Sequence, residues 1–251
     1  MNSIKKMMLS GALGCLISGM AYADGSSPQP VKPYWQDIQV VAVNKEKPRS
    51  SFMSYADRET ALTSRFEKSP YYSLLNGTWK FFFVDSYKDL PQNITDPSVN
   101  TSSWDDITVP GNWEVQGHGV AIYTNHGYEF KPKNPQPPLL PEANPVGVYR
   151  RDIEIPANWD NRDIYLHIGG AKSGLYVYLN GKEVGYSEDS KNPAEFLINK
   201  YLQPGKNVLT LKIFRWSTGS YLECQDFWRM SGIERDVFLW SQPKASIQDF
   251  R

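Results

Sequence analysis

From residue 78 onward the sequence keeps returning to one unit: a short run of aromatic and β-branched residues closed by a turn signal. Thr78–Val84 (TWKFFFV), Val148–Ile155 (VYRRDIEI), Asp163–Ile168 (DIYLHI), Leu175–Leu179 (LYVYL), Val208–Phe214 (VLTLKIF) and Asp236–Trp240 (DVFLW) are such runs. Residues of these kinds suit a pleated, half-buried surface. Asn76-Gly77 precedes the first run, and Pro204-Gly205 marks a turn before the fifth. Asn180-Gly181 joins LYVYL to Lys182–Tyr186, the strongest short-range signal for a two-residue β-hairpin. Many short strands with almost no helical period predict an all-β chain folded as a β-sandwich or jelly roll. The one place suited to a short helix is Asp57–Glu67, where Ala61, Leu62 and Phe66 recur at roughly helical spacing.

The segments around these strands are read differently. Lys5 and Lys6 precede an apolar run, Met7–Met20, and Ala21-Tyr22-Ala23 stands before Asp24. That order of charge, apolar stretch and small residues predicts a signal peptide over residues 1–23 and export to the periplasm or the medium. The run falls short of the roughly 20 residues that span a bilayer, so no membrane span is expected. A lipoprotein anchor at Cys15 is the alternative for this region. Cleavage after Ala23 leaves Cys224 alone, which rules out an internal disulfide in the mature chain.

Residues 24–48 carry several prolines and no sustained period, and predict an extended N-terminal arm. Six prolines in the fourteen residues 132–145 demand a loop that wraps the sandwich or shapes one wall of a site. One domain over residues 49–251 is the simplest partition.

Charge and motifs remove several function classes. The sequence holds 27 basic and 27 acidic residues, and loss of Lys5 and Lys6 with the signal leaves a net charge of −2. Nucleic acid has no electrostatic reason to bind such a chain. No phosphate loop, GxGxxG turn or GxSxG elbow occurs. His118, His126 and His167 are the only histidines and no cysteine pair accompanies them, so a metal cage of the zinc type is not expected.

What remains is a dense stretch, Arg215–Asp236 (RWSTGSYLECQDFWRMSGIERD), that mixes Trp216, Tyr221, Phe227 and Trp228 with Glu223, Asp226, Arg229, Glu234 and Arg235. Carboxylates accept sugar hydroxyls and aromatic faces cover sugar rings. The same residues also suit a buried Arg–carboxylate network that holds a loop, which is the favoured reading for Glu223, Arg229 and Arg235.

Gly219–Ile233 resembles the signature of the sugar-binding domain of family 2 glycoside hydrolases of the β-galactosidase type. Further matching pieces stand in the same order: Leu74–Trp79, Val109–Trp113, Ile122–Asn125, Glu142–Gly147, Gly185–Ser190 and Glu195-Phe196. Together they cover nearly all of residues 33–251. Cys224 departs from the motif, standing where an acidic residue is found in the best-known member.

The resemblance implies a jelly-roll, galactose-binding-domain-like β-sandwich packed against a catalytic TIM barrel. It places Asn125 at the sugar-contacting asparagine, and Asp226 at the aspartate that binds the galactosyl 6-hydroxyl and a sodium ion. An ion pair with Arg229 or Arg235 is the alternative use of Asp226.

Retaining glycosidases need two carboxyl groups about 5 to 5.5 Å apart. The resemblance assigns neither catalytic glutamate to this chain, and it leaves magnesium to the barrel. About 250 residues are needed for a barrel alone. The expectation is therefore a β-galactosidase part that binds a β-galactoside, inactive without the missing barrel. A stand-alone carbohydrate-binding module and a remnant without function are the alternatives.

Overall fold

The computed structural model describes residues 32–131, 134–223 and 225–249. The signal segment 1–23, residues 24–31 of the arm, and Cys224 lie outside the described residues. In chain order the strands are β1 (Ala42–Val43), β2 (Tyr72–Leu74), β3 (Gly77–Val84), β4 (Asp105–Val109), β5 (Gly111–Asn112), β6 (Ile122–Thr124), β7 (Val146–Glu154) and β8 (Arg162–Ile168). They continue with β9 (Ala171–Lys172), β10 (Gly174–Leu179), β11 (Lys182–Ser187), β12 (Ala194–Leu197), β13 (Lys206–Phe214), β14 (Phe227–Arg229), β15 (Gly232–Ile233) and β16 (Val237–Pro243). A single α-helix is present among the described residues, α1 (Arg58–Leu62), with the Asp57 carboxylate accepting from the Thr60 N–H at 2.8 Å as its N-cap.

Every strand pair is antiparallel. One sheet has the order β1-β11-β10-β13-β7-β3-β4 and a second the order β12-β8-β16-β2. Two small ladders, β14-β6 and β5-β15-β9, complete the set. The chain is thus an all-β jelly-roll sandwich. All six sequence-predicted runs are strands, and the Asn180-Gly181 turn closes the β10–β11 hairpin with both residues at positive φ, 53° and 77°. Positive φ at both turn positions gives the primed turn whose twist matches the strands it joins.

Alternation along each strand decides what is buried where. On β13, Leu209, Leu211 and Ile213 face the space between the sheets, and on β10 so do Leu175, Val177 and Leu179. They meet Leu166, Phe196 and Leu239 of the second sheet. The intervening residues of the first sheet, including Val148, Tyr176 and Phe214, build another apolar cluster on its outer face, covered by Trp35 and by Ile94 and Trp104. This double burial explains why the β13 run reads as an almost continuous apolar stretch.

Arg150, buried on that outer face, donates to the carbonyls of Ile94 (2.8 Å), Asp96 (2.9 Å) and Val99 (3.1 Å) and so fastens residues 93–104 to the sheet. The described arm residues 32–48 belong to the same compact unit as the sandwich. Their strand β1 pairs with β11, and Trp35 stacks on Phe214 at 5.1 Å. Residues 134–145 contain no strand or helix, and Leu140 packs against the outer cluster.

Candidate functional site

The two sequence-predicted site residues flank the same end of the β6–β14 ladder. The register pairs Arg229 with Ile122, Trp228 with Tyr123 and Phe227 with Thr124. Asn125 follows Thr124 and Asp226 precedes Phe227, so both lie just beyond the same end of the ladder, and both are exposed. The Tyr123 phenol donates to Asp226 Oδ1 at 2.8 Å, and His126 Nδ1 lies 2.8 Å from Asn125 Oδ1. Asp226 Oδ2 has no hydrogen-bond partner among the described residues. The acceptance by Asp226, with its negative field, raises the Tyr123 pKa, so the phenol stays a donor through the neutral range.

Tyr123 and Trp228 are each 55% exposed, with ring centroids 5.6 Å apart. A carboxylate oxygen, an amide and two accessible aromatic rings therefore share one edge. Asp226 makes no ion pair with Arg229 or Arg235 among the described residues. Arg235 donates instead to the Lys191 carbonyl.

A three-residue ladder cannot hold such an edge in place by itself, and two of the motif pieces quoted above, Glu142–Gly147 and Gly185–Ser190, act as its support together with Glu114. Asn144 and Trp216 exchange two hydrogen bonds, the Asn144 amide donating to the Trp216 carbonyl (2.8 Å) and accepting from its N–H (3.0 Å). Glu188 accepts from the Gly219 N–H at 2.7 Å, from Thr218 Oγ1 at 2.8 Å and from the Tyr186 hydroxyl at 2.7 Å. Glu223 takes the N–H (2.8 Å) and hydroxyl (2.6 Å) of Ser190. Glu114 accepts the Ser231 N–H at 2.8 Å and 3.0 Å with its two oxygens. Buried backbone groups need partners, and these side chains supply them to the irregular chain between β13 and β15.

Below the ladder lies a buried charged cluster that the sequence did not reveal. Lys172 Nζ is 3.3 Å from Glu129 Oε1, and Arg215 is 3.7 Å from both Glu129 and Glu114. Burial lowers the Lys172 pKa, opposed by Glu129, and burial raises that of Glu114 despite its hydrogen bonds to Ser231. Glu129 closes the loop that begins at Asn125, so these charges tie that loop to β9 and to the end of β13.

Arg229, only 2% exposed, donates to the Glu223 carbonyl at 2.8 Å and lies 4.7 Å over the Phe227 ring. The favoured reading of a buried Arg–carboxylate network for Glu223, Arg229 and Arg235 differs from the structure: both arginines donate to backbone carbonyls, Arg235 is exposed, and the carboxylates facing buried cations are Glu114 and Glu129. Tyr123, Glu114, Glu129 and Lys172 were not singled out from the sequence. Tyr123 and Lys172 lie on strands of three and two residues, too short for any period to show, and Glu114 and Glu129 lie on a 3-10 helix and a turn, which have no strand period.

The edge can recognise hydroxyl groups. An amide both donates and accepts, whereas an ionised carboxylate accepts only and does so more strongly. Asp226 also fits a hard cation as a single ligand, since a carboxylate oxygen is a hard donor. No group of three or more His, Cys, Asp or Glu side chains placed to hold a metal occurs among the described residues.

A model of the glycosyl hydrolases family 2 sugar binding domain matches residues 72–243. The β-galactosidase of Priestia megaterium is 41% identical over 221 residues, covering 87% of this chain and 21% of that protein. The β-galactosidase of Actinobacillus pleuropneumoniae is 41% identical over 217 residues, covering 86% and 21%. This chain thus spans about a fifth of the length of the curated relatives it matches. Among solved structures, Bacteroides uniformis β-glucuronidase 2 superposes with a TM-score of 0.52 at 24% identity, covering 68% of this chain and 18% of that one. At that identity the likeness speaks for the fold alone.

Proposed function

This chain belongs to the sugar-binding domain family of the family 2 glycosyl hydrolases, and on that premise we propose that it positions the terminal galactosyl unit of a β-galactoside. The observation that supports this reading is the exposed end of the β6–β14 ladder, where Asn125 follows Thr124 and Asp226 precedes its partner Phe227, beside the accessible rings of Tyr123 and Trp228. Asn125 exchanges hydrogen bonds with ring hydroxyls. Asp226 accepts the 6-hydroxyl and would serve as one ligand to a sodium ion, a hard cation suited to a carboxylate oxygen. Tyr123 keeps one carboxylate oxygen occupied and leaves the other to the ligand.

Bond cleavage by retention needs a general acid/base and a nucleophile, two carboxyl groups about 5 to 5.5 Å apart. Both are proposed to lie on a catalytic barrel outside these 251 residues, so the chain by itself binds but does not hydrolyse. Mixing it with the catalytic part of a β-galactosidase that lacks its own first domain is expected to restore hydrolysis of a chromogenic β-galactoside. Asp226→Ala is expected to lower kcat/KM of that mixture about tenfold to a hundredfold, the worth of a hydrogen bond to a charged group. Equal rates with the wild-type and variant chains, both folded, would sink the assignment.

The basic and apolar layout of residues 1–23 supports export. Expression in a Gram-negative host is expected to yield periplasmic protein beginning at Asp24, read by N-terminal sequencing.

A further inference from the structure

The face of the second sheet turned away from the core carries a cavity of about 380 Å3, bounded on one side by residues 45–53. That volume falls in the range of small-molecule sites. Its apolar part is made by Met53, Phe66 and Phe238, and the His167 ring stacks on Phe238 at 4.2 Å and 14°.

Around this patch stand three cations (Lys45, Lys47, Arg49) and three anions (Glu46, Asp189, Glu195). The wall therefore carries no net field that would draw an anion or a cation. Some of these groups are already spent. Glu195 accepts from His167 Nδ1 at 2.8 Å, from Arg49 Nε at 3.2 Å and from Trp240 Nε1 at 3.1 Å.

Others are not. The Lys45 ammonium, the Glu46 carboxylate, the amide oxygen of Asn192 and the second ring nitrogen of His167 have no hydrogen-bond partner among the described residues. Burial already strains two of them, lowering the Lys45 pKa and raising that of Glu46. A ligand that brings hydroxyl groups relieves both, since a hydroxyl donates to the carboxylate and accepts from the ammonium.

We propose that this cavity is a second carbohydrate site, one that takes a neutral saccharide unit independently of the Asn125/Asp226 edge. A sugar ring has an apolar C–H face for Phe66 and hydroxyls of both polarities for the uncommitted groups. An anionic sugar gains nothing from a wall of balanced charge.

The three histidines separate the two sites in one experiment. His167 lines the cavity, His126 is bonded to Asn125, and His118 packs on Phe81 at 4.8 Å, away from both assigned groups. Imidazole NMR resonances of the whole chain are followed during titration with methyl β-D-galactoside, methyl β-D-glucoside and glucuronate. A neutral glycoside is expected to move His167 saturably in the wild type and equally in Asp226→Ala. Replacing both Lys45 and Glu46 by alanine is expected to weaken that response about tenfold or more, with the His118 resonance unchanged as a sign of the intact fold.

The proposal is overturned if His167 stays still with both neutral glycosides, if it responds equally in the double variant, or if glucuronate alone moves it. Movement of His126 without His167 overturns this site and leaves the galactosyl assignment standing. The reverse result does the opposite.

Discussion

Glu195→Ala is expected to lower folding stability by about 3–5 kcal/mol, the cost of removing one partner from a buried charge arrangement. The Glu195 side chain is 12% exposed and ties three separate pieces of chain together. His167 comes from β8, the strand that pairs with β12. Arg49 comes from residues 45–53 and contacts both carboxylate oxygens, at 3.1 Å and 3.2 Å. Trp240 comes from β16 and lies 4.4 Å beneath the Arg49 guanidinium. Alanine leaves three donors without an acceptor and frees the strap from the sheet.

Burial pushes the Glu195 pKa up, but the hydrogen bond from His167 and the field of Arg49 outweigh it, so the folded value lies below the usual carboxylate range. A depressed folded pKa contributes stability that is fully present above the unfolded value and is lost as pH falls through the folded one. Urea unfolding should therefore show the wild-type and variant midpoints converging under acid conditions, with slopes unchanged. A loss below about 1 kcal/mol at neutral pH would mean that the three donors find water instead.

Gly185→Ala is the other large effect, expected at about 3 kcal/mol or more because the added methyl group has nowhere to go. An ideal Cβ there would lie 2.3 Å from the Val43 carbonyl oxygen and 2.7 Å from the Phe196 ring. The first contact belongs to β1 and the second to the main core, so relief of one tightens the other. The backbone conformation of Gly185 suits any residue, and space alone forbids the side chain.

Gly205→Ala is the matched control. Gly205 has φ 74° with nothing within 4 Å of the added carbon, so only the left-handed conformation opposes the change, at about 1–2 kcal/mol. Thermal unfolding of the two variants side by side should rank Gly185→Ala well below Gly205→Ala. The opposite order would show that β1 detaches at little cost.

Both sites bear on what could be read without coordinates. The longer strands of the two large sheets were legible because their information is local: β10, β11 and β13 carry their alternation within six to nine residues, and Asn180-Gly181 states its turn in two, whereas the shorter β1, β2, β4 and β12 were not read as strands. The short helix was legible only in part: it spans Arg58–Leu62 rather than Asp57–Glu67, Phe66 lies on a separate 3-10 turn, and Leu62 is 73% exposed, so the spacing marks no buried face. Asn125 and Asp226 were reached by resemblance to a family and not by any period, since β6 and β14 are three residues each.

The tertiary structure alone decided the rest. The Tyr123–Asp226 hydrogen bond joins residues 103 positions apart, and the Arg49–Glu195 contact spans 146. Neither partner carries a mark of the other, because such contacts form only after the sandwich closes and each strand has taken its register. The same holds for Lys172 and Glu129, whose burial comes from neighbours on other strands rather than from their own sequence context. By itself the sequence determined an all-β sandwich with its hairpin and strand order along the chain, because short-range alternation and turn chemistry specify which face of each strand is buried. Closure of the sheets decided which polar groups meet at the ladder end and around the cavity, because distance in space, unlike period, is a property of the whole fold.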